Sequence, residues 1–211
     1  MKPTKNNSFQ IISGEYRGRK FSFPDAQGLR PTPGKVRETL FNWLQFEAHN
    51  KTYLDLFAGS GALSLEALSR GAKTVVSVEK DTEAARALSA HQALLQSDKL
   101  YVINQDAFVF LTQPAQQVYD LVFLDPPFKQ MLIAKALELL KSGGFITTGG
   151  KIYIESEFQI DLDFLRQYFG DNIQINKQKQ AGAVHYCLTE ILWKPQFTQV
   201  HLTQSPMVML I

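Results

Sequence analysis

From Lys51 onward the chain alternates short runs rich in β-branched and aromatic residues with helix-length segments, and this alternation constrains the fold more than any other feature. Strand-like runs at Tyr53–Phe57, Thr74–Glu79, Leu100–Asn104, Tyr119–Leu124 and Lys151–Glu155 are separated by helical patterns at Ala62–Ser69, Thr82–Leu95, a short stretch around Phe108, and Met131–Leu140. A further helix is read at Leu162–Tyr168. Repeated strand–helix units predict a mostly parallel sheet with helices on both faces. The last two strands, about Ile173–Lys177 and Val184–Leu192, leave no room for a helix between them and must pair antiparallel. The expected architecture is a seven-stranded, mostly parallel Rossmann-like α/β sheet whose last strand is antiparallel.

Ahead of this unit, residues 9–13 and 19–23 flank the turn-rich Gly14-Glu15-Tyr16-Arg17-Gly18 and predict a β-hairpin. A proline-containing loop and a helix from about Lys35 to Glu47 follow, with Val36, Leu40, Trp43 and Leu44 at helical spacing. The chain thus divides into an N-terminal hairpin-and-helix extension (residues 1–48), an α/β domain (49–194) and a tail (195–211) to which the sequence assigns no role.

Charge supports that division. The net charge is only +2, but residues 1–37 carry eight Lys or Arg against two acids, and the remainder carries fourteen against eighteen. A basic segment on a mildly acidic body suits contact with a polyanion, and a solvated basic arm without a partner is equally compatible. Arg17, Arg19, Lys20, Arg30 and Arg37 are the candidates for phosphate contact, with Thr32 beside them as a helix cap or site residue. No apolar run approaches the length of a membrane helix, and Met1–Asn7 lacks an apolar leader core. The lone Cys187 cannot form an internal disulfide, so a cytoplasmic protein is expected. One cysteine and four scattered histidines give no metal-ligand spacing.

The chemistry lies in the loops that follow the strands, where open α/β sheets bind ligands. Asp55-Leu56-Phe57-Ala58-Gly59-Ser60-Gly61 joins the first strand of the domain to its helix. A nicotinamide fingerprint would continue to a third glycine at position 64, where this chain has Ser64. A sulfonium cofactor has no pyrophosphate to hold. It calls instead for a carboxylate beside a cation, which Asp55 supplies. Glu79, at the end of the next strand, can accept from two ribose hydroxyls. Asp106 can accept from an adenine amine and the Ala107 N–H can donate to a ring nitrogen, although Asp106 is equally suited to cap a helix. Asp55, Phe57, Gly59, Gly61, Glu79, Asp106 and Ala107 are therefore the candidate S-adenosylmethionine ligands.

Asp125-Pro126-Pro127-Phe128 follows the fourth strand of the domain directly. Two prolines stiffen the loop and remove two N–H donors. A carboxylate and a fixed carbonyl there can accept hydrogen bonds from an exocyclic base amine. That pulls its lone pair out of conjugation and stabilises the positive charge that develops on nitrogen. Phe128 would stack on a base that is unpaired or flipped out. These residues predict methylation of a base amine.

Here the residues resemble a known family. Arg30-Pro31-Thr32-Pro33-Gly34-Lys35-Val36-Arg37-Glu38-Thr39-Leu40-Phe41-Asn42-Trp43-Leu44 is similar to a block in the bacterial 16S rRNA guanine-N2 methyltransferases that modify guanine 966. Gly14–Lys20, Leu54–Leu63 and Tyr153-Ile154-Glu155-Ser156-Glu157 match them as well, so the resemblance runs from about Ile11 to Lys194. It departs at Gly34, where an acidic residue is frequent in the family. The resemblance implies S-adenosylmethionine as donor, S-adenosylhomocysteine as product, and 16S rRNA in the small ribosomal subunit or its assembly intermediate as substrate. A monomer is expected. Two other readings remain open at this stage. One is a DNA adenine-N6 or cytosine-N4 methyltransferase, and the other is a non-catalytic RNA-binding assembly factor.

Overall fold

The computed structural model describes residues 7–24, 32–128 and 131–192. Arg30 and the tail from 195 lie outside the described residues. In chain order the elements are β1 (Asn7–Gln10), β2 (Lys20–Phe23), α1 (Gly34–Trp43), β3 (Thr52–Asp55), α2 (Ala62–Ser69), β4 (Thr74–Glu79), α3 (Thr82–Leu95) and β5 (Leu100–Asn104). They continue with α4 (Ala107–Leu111), β6 (Tyr119–Leu124), α5 (Leu132–Ser142), β7 (Ile146–Ser156), α6 (Leu162–Phe169), β8 (Ile173–Ala181) and β9 (Val184–Ile191). The main sheet has the order β5-β4-β3-β6-β7-β9-β8. Strands β3 to β7 are parallel, and β9 runs antiparallel between β7 and β8. The strand order reverses between β3 and β6, which makes their carboxyl ends the switch point where a ligand crevice opens.

Alternation along the strands sorts the core into two layers. Tyr53, Val75, Leu121, Phe123 and Tyr153 face α1, α2 and the β1–β2 hairpin. Leu54, Val76, Val122, Leu124 and Ile154 face α4, α5 and α6. Both faces of the central strands are covered, so these strands read as continuous apolar runs.

The basic N-terminal segment is part of this core. Phe9, Ile11, Phe21 and Phe23 are buried in the same cluster as α2 and α3. The link between β1 and β2 is pinned by α2. Ile12 N and Ser13 N donate to the Glu66 carboxylate at 2.8 and 3.1 Å, and Tyr16 N donates to Ser69 Oγ at 2.9 Å. Gly14, at φ +86°, passes so close to α2 that an added Cβ would lie 1.9 Å from Ser69 O. No side chain fits there. Covered by sheet and hairpin alike, every residue of α2 is buried, Glu66 included.

Several boundaries differ from the sequence-based expectation, and three of them have a clear physical reason. The β1 strand ends at Gln10 rather than residue 13, because the N–H groups of Ile12 and Ser13 are taken by Glu66. The α1 helix stops at Trp43 rather than Glu47. There Glu47 reaches Lys151 Nζ at 2.7 Å, and the Ala48 carbonyl accepts from the Tyr53 hydroxyl at 2.9 Å, so tertiary partners replace another helical turn. The β7 strand begins at Ile146, and its register against β6 shifts between Tyr119 and Leu121, which absorbs Gly149 and Gly150.

Candidate active site

Five neighbouring strands each end in, or lead into, an acid at the carboxyl edge of the sheet. Across the sheet these are Asp106 after β5, Glu79 ending β4, Asp55 ending β3, Asp125 after β6, and Glu155 near the end of β7. Asp55 and Asp125 flank the switch point. Asp55 is fully buried, and Ser64 Oγ donates to its Oδ2 at 2.6 Å. Burial raises the Asp55 carboxyl to about 7; the Ser64 hydrogen bond opposes the rise, and the charges of Asp125 and Glu79 add to it.

The Asp55–Gly61 turn is shaped by its glycines. Gly59 and Gly61 have φ of +53° and +78°, and Gly61 is the N-cap of α2. A Cβ on Gly61 would meet Leu88 Cδ1 at 2.4 Å. Glu79 braces this turn: its Oε2 accepts from Gly59 N and its Oε1 from Asp81 N, each at 2.7 Å. Each oxygen retains a further lone pair for a ribose hydroxyl. Asp106 caps α4 through Oδ1, which accepts from Phe108 N at 2.8 Å and Val109 N at 3.2 Å, and Oδ2 stays outside the cap. Both roles expected of Asp106 are thus compatible. Phe57 meets Phe108 edge to face at 6.1 Å, beside the buried Ala107.

These residues fit S-adenosylmethionine. Among the described residues no ion pair engages Asp55, Asp125 or Glu155. A cluster of acids, Asp55 and Glu155 buried and Asp125 partly so, with no cation paired to it among the described residues, matches a ligand that carries a sulfonium and an ammonium. The narrow turn at Gly59–Gly61 allows its backbone to approach closely.

On the other side of the switch point, Asp125 Oδ2 accepts from Thr32 Oγ1 at 3.3 Å. Burial raises the Asp125 carboxyl, and the Thr32 hydrogen bond opposes the rise. Phe128 remains 37% exposed at the rim of an apolar cleft that Pro127, Leu132, Phe158 and Phe164 also line. An exposed aromatic beside the acceptor loop is placed to stack on a base.

The basic residues divide. Arg17, Arg19 and Lys20 are exposed on the hairpin. Arg37 is only 3% exposed, which removes it from phosphate contact. Its guanidinium donates to Gln10 O at 3.0 Å, lies 3.8 Å from Glu66 and sits over the Phe9 ring, so it ties the hairpin to α2. Thr32 is buried at the site, and the N-cap of α1 is Pro33 with no side-chain cap bond. Its hydroxyl serves Asp125 instead of the helix.

Two features escaped the sequence reading. Ser64, noted only as the missing third glycine, is the hydrogen-bond donor to Asp55 and lies 2.7 Å from Ser77 Oγ. Glu155, noted only within a matching block, is a buried acid whose Oε1 accepts from the Tyr153 hydroxyl at 2.9 Å. An acid at the end of a short apolar run, Tyr53-Leu54, Leu121–Leu124 and Ile152–Ile154 in turn, was the available signal for Glu155.

Comparison with known proteins agrees with this geometry. A family described as conserved hypothetical protein 95 matches residues 9–190. The ribosomal RNA small subunit methyltransferase D of Escherichia coli strain K12 is 41% identical over 189 residues, covering 89% of this chain and 93% of the relative. The Haemophilus influenzae protein of the same name is also 41% identical, covering 88% and 95%. The solved structure of the E. coli protein yhhF superposes with a TM-score of 0.78 at 38% identity, covering 88% of this chain and 98% of that one. The chain belongs to the conserved hypothetical protein 95 family, the bacterial family of the small-subunit ribosomal RNA methyltransferases D.

Proposed function

We propose that this protein methylates the exocyclic N2 amine of a guanine in 16S rRNA, of the guanine 966 type, with S-adenosylmethionine as donor. The observation that carries the reading is Asp125 standing across the switch point from Asp55, at the head of a Pro-Pro-Phe loop, in a chain 41% identical to ribosomal RNA small subunit methyltransferase D. The relatives named above act on ribosomal RNA, so a DNA substrate and a non-catalytic role are not favoured.

Asp55, Phe57, Gly59, Gly61, Glu79, Asp106 and Ala107 hold the cofactor. Glu79 accepts from its ribose, Asp106 and the Ala107 N–H take the adenine edge, and Asp55 faces its cationic end. When bound, S-adenosylmethionine would supply an electrophilic methyl group, its C–S bond breaking to leave neutral S-adenosylhomocysteine. The protein's own residues prepare the nucleophile. Asp125 and the Pro126 carbonyl accept the two amine hydrogens, which draws the nitrogen lone pair out of the ring. Pro127 keeps the loop rigid and Phe128 stacks on the extruded guanine, so the amine is held in line. As the new C–N bond forms, one N–H bond breaks and its proton is held on Asp125 until the product leaves. Arg17, Arg19 and Lys20 contact phosphates and orient the RNA. The substrate is the small subunit or its assembly intermediate, met by a monomer in the cytoplasm.

The test offers small ribosomal subunits, naked 16S rRNA and DNA to the protein with labelled cofactor, followed by digestion to nucleosides. Label in N2-methylguanine from rRNA is the expected result. Label in N6-methyladenine or N4-methylcytosine would overturn the assignment.

A further inference from the structure

Glu155 has no part in the reaction described so far, yet it stands beside Asp125. Strand β7 runs parallel to β6 with Ile154 opposite Leu124, so Glu155 and Asp125 are the next positions along the two strands. Glu155 is 3% exposed. Tyr153 donates its hydroxyl hydrogen to Glu155 Oε1 at 2.9 Å, and Thr32 Oγ1 donates to Asp125 Oδ2 at 3.3 Å. Thr32 is also within hydrogen-bond reach of Glu155.

A hydroxyl has one proton to give. With the Thr32 proton on Asp125, its oxygen is left to accept, and a carboxyl beside it can donate only in its acid form. Among the described residues, the groups around the pair do not offset two negative charges. Asp55 faces it from β3, and Tyr153 and Tyr186 approach from β7 and β9. Glu155 is buried and Asp125 only partly exposed, and two neighbouring carboxylates in such a site do not both ionise.

We propose that Glu155 is a positioning residue that acts in its protonated form: Tyr153, Glu155 and Thr32 make a one-way chain of donors that ends on Asp125 and keeps Asp125 the only anion of the pair. Burial, and after it the Asp125 charge, raise the Glu155 carboxyl well above the usual range; the Tyr153 and Thr32 hydroxyls oppose the rise without cancelling it, which agrees with a retained proton. The chain aims the Asp125 lone pairs and leaves Asp125 free to take the amine proton. This inference rests on Asp125 being the amine acceptor.

The test has a spectroscopic and a kinetic arm. Infrared difference spectra of the protein without substrate, taken across a pH titration, should show a protonated carboxyl band at neutral pH that disappears in Glu155→Gln. If that variant does not fold, isotope labelling of glutamate carboxyls identifies the band in the native protein. In turnover, Glu155→Gln keeps a neutral donor and should retain kcat within about threefold, with the acid limb of the pH profile unmoved. Thr32→Val should lower kcat about tenfold, leave KM for RNA within about twofold and move the acid limb upward, and Thr32→Ser should restore all three. Absence of the band, or a downward shift of the acid limb in Glu155→Gln, overturns the chain. Asp125→Asn separates the two readings. Full activity in that variant removes Asp125 as the acceptor, whereas the infrared band decides the protonation of Glu155 in either case.

Discussion

Ser64 hydrogen-bonds Asp55 at 2.6 Å and lies 2.7 Å from Ser77, so the position that breaks the nicotinamide fingerprint is the one that braces the acid proposed to face the cofactor. This contact opposes only part of the effect of burial, and the Asp55 carboxyl is pushed up to about 7. Asp55 therefore changes charge near neutral pH.

Cofactor affinity should follow that charge. A sulfonium and an ammonium favour the ionised form, so binding is linked to proton release. Affinity for S-adenosylhomocysteine, which keeps the ammonium, should follow the same trend more weakly. The Kd for S-adenosylmethionine should rise by up to about tenfold per pH unit as pH falls below 7. Calorimetric titration at several pH values in buffers of different ionisation enthalpy would measure both affinity and proton release. A Kd flat from pH 5.5 to 7.5 would remove Asp55 from the cation site.

Stability should run the opposite way. The folded-state pKa of Asp55 lies above its ordinary value of 3.8, so between 3.8 and about 7 the folded protein holds a proton that the unfolded chain has lost. The associated stabilisation is full below that window and lost as pH rises through it. Asp55→Asn removes the burden of a buried charge, and its amide oxygen can still accept from Ser64. Without cofactor, the variant should be more stable than the parent by roughly 1–3 kcal/mol at pH 8 and about equal at pH 4, while cofactor binding is lost. Thermal unfolding at the two pH values checks this, and a Tm difference that does not grow with pH would contradict it.

The parallel core was legible because β3, β4 and β6 are buried on both faces and read as unbroken apolar runs. Asp55, Glu79 and Asp125 were legible because each ends or directly follows such a run, and Asp106 because it comes two residues after the end of β5. Long-range contacts were not. Nothing local to Thr32 announces a partner 93 residues away, and the same rotamer chemistry would have capped a helix. Arg37 lies in a basic stretch, and only the folded position of Glu66 turns it inward. The placement of β9 between β7 and β8 depends on strand pairing that an antiparallel hairpin leaves open on either side. The β7 start at Ile146 was hidden because Thr147-Thr148-Gly149-Gly150 carries the composition of a turn.

Asp125→Asn tests the acceptor loop at its centre. The amide can still offer an oxygen, but it cannot take the amine proton or oppose the positive charge that develops on nitrogen. We expect kcat to fall by about a hundredfold or more, with cofactor Kd changed by less than about threefold. Single-turnover methyl transfer beside equilibrium cofactor binding separates the two. An equal loss in both would make Asp125 a cofactor ligand.

Arg37→Met should act on folding. The substitution leaves the Gln10 carbonyl and the Glu66 carboxylate short of a donor in a buried place, although Arg70 still pairs with Glu66 at 2.8 Å. A loss of about 2–4 kcal/mol in urea unfolding is expected. A variant as stable as the parent would show that the phenylalanines and the hydrogen bonds from Ile12, Ser13 and Tyr16 to α2 hold the hairpin without Arg37.

Combined replacement of Arg17, Arg19 and Lys20 by Ala should do the reverse. All three are exposed, so stability should stay within about 0.5 kcal/mol of the parent. If they contact phosphates, each contact releases condensed counterions on binding. The slope of log affinity for rRNA against log salt should therefore fall by about two to three, while cofactor affinity is unchanged. Filter binding across a salt series reads the slope directly. An unaltered slope would place the RNA on another face of the protein and leave the basic hairpin as a solvated surface.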